Sequence, residues 1–184
     1  MTTRGLIGFI YRGISYYVFN SYDSYYSYLG LLILKELINM LKNNQLNEWL
    51  NKFNSLKIVN ANDEISDEDL LLLGCEKTVN SDYKYCYGDD IIEYKLKNGD
   101  AVTTFETVLN HKYLLSNFKP IHNEVITSEN RSCPPYEYIY IINFDTCEFI
   151  TITQFEDCNK YSLNNDNIIQ VLEELKQEWK TYRE

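Results

Sequence analysis

Tyr136-Glu137-Tyr138-Ile139-Tyr140-Ile141-Ile142-Asn143-Phe144, then Asp145-Thr146-Cys147, then Glu148-Phe149-Ile150-Thr151-Ile152-Thr153-Gln154-Phe155, is the stretch that decides the fold. Both arms are rich in β-branched and aromatic residues, and three turn-prone residues separate them, which is the signature of a β-hairpin. A second hairpin stands at the other end of the chain. Gly5 to Tyr11 and Ile14 to Phe19 flank Arg12-Gly13, where a tight turn needs a glycine.

Between the hairpins the pattern turns helical. Leu29, Ile33, Leu34, Leu37, Ile38 and Leu41 follow helical spacing, and the polar-aromatic run from Asn20 to Ser27 opens that helix. A second helix over about 45–56 places Leu46, Trp49, Leu50 and Phe53 on one face. Ser66-Asp67-Glu68-Asp69 ahead of Leu70 to Leu73 reads as a capped short helix stopped by Gly74. Tyr83 to Tyr87 and Ile91 to Leu96 read as two strands joined by Gly88-Asp89-Asp90, and 101–118 fits strand or helix equally. The span 165–182 is an amphipathic helix with Ile168, Ile169, Val171, Leu172, Leu175 and Trp179 on its apolar side. No repeat or linker interrupts the order. The expectation is one α+β domain over 1–184, its mostly antiparallel sheet built from the two hairpins with helices packed on it.

At 184 residues with 45% apolar and 15% aromatic content, the chain can bury a core without disulfides or metals. No apolar run approaches the roughly 20 residues of a membrane-spanning helix. The net charge of −10 argues against a nucleic-acid-binding face, which needs clustered Lys and Arg. The five cysteines (75, 86, 133, 147, 158) include no CxxC pair, and the two histidines, His111 and His122, lie in no metal-ligand spacing. No cofactor and no metal are expected. There is no Walker lysine, Gly-x-Gly-x-x-Gly or Gly-x-Ser-x-Gly. The N-terminus lacks the pattern of a signal peptide, so the expected setting is the cytoplasm with reduced thiols. The 17 Tyr, 20 Asn and 18 Ile against 7 Gly, 3 Pro and 2 Ala follow AT-rich codon usage. A large DNA virus would supply such a sequence.

Two functional readings emerge. In the first, Tyr22, Tyr25, Tyr26 and Tyr28 crowd beside Tyr16-Tyr17, more aromatic surface than one hairpin can bury. Tyrosine is favoured at protein interfaces, so this segment would bind a protein partner or a second copy of the chain as a homodimer. In the second, removal of Met1 leaves Thr2 with a free amine beside its hydroxyl, the arrangement of an N-terminal-nucleophile amide hydrolase. Arg4, Asn20 and Asp23 would surround that nucleophile. The ordinary reading of Asp23 is a helix cap, with Arg4 pairing to it across the hairpin base. The carboxylates of 62–69 and 89–93 lack calcium-loop spacing and read as solvated turns and helix starts.

Thr3-Arg4-Gly5 before the hairpin, then Asn20, Asp23-Ser24-Tyr25 and Leu29-Gly30, resembles a family of small phage and giant-virus proteins. Its members begin with Thr-Arg-Gly and carry Asn-x-x-Asp-Ser-Tyr-Pro-x-Gly-Leu-Gly between hairpin and helix. The hairpin of Tyr138 to Phe155 is similar to a late strand pair of that group. Tyr26 stands here where the family has Pro, and Tyr28 where it has the first Gly. The resemblance implies viral kinship and attaches no activity.

Overall fold

The computed structural model describes residues 3–20, 23–60, 75–80, 91–96, 104–110, 113–116, 136–153 and 157–182. Strands β1 (Gly5–Tyr11) and β2 (Ile14–Asn20) form the N-terminal hairpin, in register from Gly5↔Asn20 to Tyr11↔Ile14. Arg12 and Gly13 both take positive φ, 54° and 70°, the two left-handed positions that a two-residue hairpin turn requires. A π-helical turn (Tyr26–Gly30) leads into α1 (Leu31–Lys42), followed by α2 (Leu46–Ser55).

Short strands follow: β3 (Lys57–Asn60), β4 (Cys75–Asn80) and β5 (Ile91–Leu96). The ambiguous segment holds both alternatives, helix α3 (Phe105–Asn110) and strand β6 (Tyr113–Ser116). The C-terminal part contains β7 (Tyr138–Asn143), β8 (Glu148–Thr153), β9 (Cys158–Ser162) and α4 (Ile168–Thr181).

The architecture is α+β, as the two hairpins require. One five-stranded sheet runs β2-β1-β7-β8-β9 and is antiparallel except where β1 meets β7 in parallel, Gly5↔Tyr138 to Ile10↔Asn143. That single pairing joins the two hairpins across the whole chain. β1 is paired along both edges, by β2 and β7, and every residue from Gly5 to Ile10 is buried, so side chains on both of its faces lie in packed clusters. Odd positions (Ile7, Phe9) enter the main core with the helices, while Leu6 and Ile10 join Tyr17, Ile141 and Ile150 on the opposite face.

Ile91–Leu96 is a strand as the sequence implies, but its partner is Cys75–Asn80 in a separate antiparallel pair. Tyr83 to Tyr87 and the Ser66–Gly74 segment lie outside the described residues. β3 pairs in parallel with β6.

The main core centres on Phe9, whose ring lies 5.2 Å from Phe53, 5.2 Å from Phe105 and 5.7 Å from Phe144. α1 contributes Ile33, Leu34, Leu37, Ile38 and Met40, α2 contributes Trp49 and Phe53, and α4 contributes Ile168, Leu172 and Trp179. α4 lies along α1, with Gly30 against Trp179 at one end and Lys42 Nζ 3.1 Å from Glu173 Oε1 at the other. Lys176 and Lys42 hold the Glu173 carboxyl below its ordinary value.

The turns of the two hairpins are tied together. The Asp145 carboxylate accepts hydrogen bonds from the backbone N–H of Arg12 (2.7 Å) and Gly13 (2.8 Å), one on each oxygen. Asn143 shapes the other turn by accepting from the N–H groups of Asp145 (2.9 Å) and Thr146 (3.2 Å). Charged acceptors make the stronger hydrogen bonds, but this site is exposed, so Asp145→Ala is expected to cost about 1–2 kcal/mol. Urea unfolding checks it, with Asp145→Asn losing less because one acceptor oxygen remains.

Candidate functional site

The segment that links β2 to α1 must reverse the chain and satisfy its own polar groups under the sheet. Asn20, the last residue of β2, is 2% exposed, and its Nδ2 donates to Ser24 Oγ at 2.8 Å. Ser24, fully buried, sends its hydroxyl back to the Asn20 carbonyl at 3.4 Å, and its backbone N–H donates to the Thr3 carbonyl at 3.4 Å. From the sheet floor, the Tyr140 hydroxyl donates to the Ser24 carbonyl at 2.8 Å. Asp23 completes the reversal with φ of 47°, a left-handed conformation that short polar side chains tolerate best.

Gly5 is the other half of this lock. A β-carbon there would stand 2.6 Å from Ser24 Cβ and 2.8 Å from the Tyr138 carbonyl oxygen. Gly30 serves the same purpose for the next layer, since a β-carbon would lie 2.7 Å from the Trp179 ring. Gly5, Asn20, Ser24 and Gly30 are therefore buried where hairpin, sheet and helix meet, half-buried Asp23 turns the chain beside them, and Leu29 joins the main core.

The tyrosines divide sharply. Tyr26 does not belong to a surface patch, contrary to the sequence expectation: it is 7% exposed and stacks on Trp179 with ring centroids 4.2 Å apart and planes 12° from parallel. Tyr138, Tyr140 and Tyr182 meet it edge-on at 5.2, 6.2 and 5.7 Å. The surplus of aromatic surface that one hairpin cannot bury is thus partly taken up by α4. Tyr28 remains outside at 52% exposure, with half-buried Tyr25 6.2 Å away. Leu32, one helical turn beyond Tyr28, is 39% exposed and extends the strip. The sequence carried a signal for it: six residues from Leu29 to Leu34 hold five large apolar side chains, more than one helix face can bury.

Thr2 and Tyr22 lie outside the described residues. Arg4 is exposed, and its guanidinium draws the Tyr136 phenol down while burial, the larger effect, raises it. No ion pair joins Arg4 to Asp23 among the described residues; Arg4 instead offers its carbonyl to the N–H of Glu137 at 2.9 Å.

The buried phenols are kept protonated. Burial raises Tyr17 and Tyr26, and it pushes Tyr161 up to about 12, assisted by the negative charge of Glu178. Such groups pack and donate hydrogen bonds rather than shuttle protons near neutral pH. Cys147 precedes β8 and Cys158 pairs with Ile152 near its far end, so the two thiols stand at opposite ends of the β8–β9 ladder. Among the described residues no three metal-ligating side chains come together. The described helices include none long and apolar enough to cross a membrane. His111, His122, Asp89 and Asp90 lie outside the described residues.

One carboxylate sits in an unusual place. Glu36 of α1 accepts a hydrogen bond from the Glu106 N–H at 3.3 Å, at the start of α3. Burial raises its pKa most; hydrogen bonds from the Thr104 hydroxyl and the N–H groups of Glu106 and Phe105 oppose this, and the Glu106 charge adds to it. A carboxyl raised on folding binds its proton more tightly in the native state, so stability falls as pH rises through the window above the ordinary glutamate value. Glu36→Gln keeps an acceptor without the charge. It is expected to be at least as stable as the wild type at pH 7, with the advantage gone below the ordinary glutamate range. Guanidinium unfolding at both pH values checks this, and a loss of stability at pH 7 would refute it.

No family model, curated protein or solved structure matches this chain.

Proposed function

We propose that the protein acts by binding another protein through the strip formed by Tyr25, Tyr28 and Leu32, and that it is a cytoplasmic protein of a large DNA virus. The observation that carries the binding reading is the outward placement of Tyr28 and Leu32, one turn apart and 52% and 39% exposed. Tyrosine offers large, rigid contact area with a hydroxyl at its tip, and large apolar side chains left together on a surface mark contact sites. The viral source is supported by the AT-rich residue usage and by the Thr-Arg-Gly and Asn-x-x-Asp-Ser-Tyr resemblance.

The strip is narrow. It offers on the order of 200 Å² of apolar surface, against ~800 Å² per partner in a stable complex. A partner must therefore bring further contacts around this anchor, or the complex is transient. A tight homodimer held by this strip alone is not expected.

The test is a photo-crosslinking residue at position 28, in the wild type and in Leu32→Asp, inside the producing cell. One discrete crosslinked species in the wild type, lost in Leu32→Asp, supports the reading; a crosslink indifferent to Leu32 overturns it. Tyr28→Ala/Leu32→Ala is expected to unfold within about 0.5 kcal/mol of the wild type, as surface substitutions do. Light scattering across a concentration series adds the homodimer readout: a doubled mass that the double variant abolishes identifies the partner as a second copy.

A further inference from the structure

We draw no further inference here: the strongest candidate, the buried hydroxyls of Thr151 and Thr153 on β8, adjoins the aromatic layer already described, where the Tyr26 phenol reaches Thr151, and nothing in the structure shows a ligand there.

Discussion

Trp179→Ala is expected to lower the stability of the fold by about 3–5 kcal/mol, the range for removing a large aromatic side chain from a core. Its indole is 2% exposed and serves three neighbours at once. Tyr26 stacks on one face, Tyr140 meets it at 65° with centroids 6.2 Å apart, and Gly30 leaves room for its edge. Truncation leaves Tyr26 with edge contacts alone and opens a void between α4 and the turn that begins α1. At roughly 2–4 °C per kcal/mol for a chain of this size, the midpoint should fall by about 6–20 °C. Trp179→Phe keeps a ring against Tyr26 and should lose clearly less. Guanidinium unfolding with an unchanged slope would show that native stability is what moved. A Trp179→Ala loss below about 1 kcal/mol, the average for any point substitution, would mean that the aromatic layer is not core. Tyr26 would then return to the candidate surface.

How much of this was legible depends on how far apart the interacting residues lie. The β7–β8 hairpin was readable because both arms and their turn are contiguous, and Arg12-Gly13 announced the first hairpin through turn chemistry alone. The helices followed from Leu, Ile and Trp spacing. The parallel contact of β1 with β7 left no local mark, since each strand is equally apolar whichever neighbour it takes. β9, Cys-Asn-Lys-Tyr-Ser, is an exposed edge strand whose polar residues hide its conformation; only Tyr161, stacked 6.0 Å from Phe149, ties it to the core.

The site divides the same way. The concentration of tyrosines was visible, but their sorting was not, because the residue that buries Tyr26 stands in the last helix. An AT-rich composition also supplies tyrosine at positions of every kind, so tyrosine density alone overstates the surface patch. The resembling motif was legible as a motif. Its physical content, a glycine admitting a serine that an asparagine and a tyrosine then hold, needed the register of β1 against both neighbours.

Gly5→Ala should accordingly cost about 3 kcal/mol, the upper part of the usual overpacking range. Gly5 is not among the residues with positive φ, so alanine brings no backbone strain there. It should even gain a few tenths of a kcal/mol by restricting the unfolded chain. Any loss is therefore steric. The added carbon would stand 2.6 Å from Ser24 Cβ, 2.7 Å from its Oγ and 2.8 Å from the Tyr138 carbonyl oxygen. The strand cannot step aside, because Gly5 is paired with Asn20 on one side and Tyr138 on the other. Ser24→Gly in the Gly5→Ala background removes two of these three contacts and leaves the carbonyl. Recovery should be partial, and a double-mutant cycle should show coupling above about 0.5 kcal/mol, the level that separates touching from independent sites. Asn20→Ala should destabilise as well, since it leaves Ser24 Oγ without its donor in a buried site. A neutral Gly5→Ala would say that the Thr3–Gly5 segment does not close on Ser24. The amide-hydrolase reading, with Thr2 as nucleophile and Arg4, Asn20 and Asp23 around it, would then become the one to test, by adding a single residue before Thr2 and asking whether activity survives.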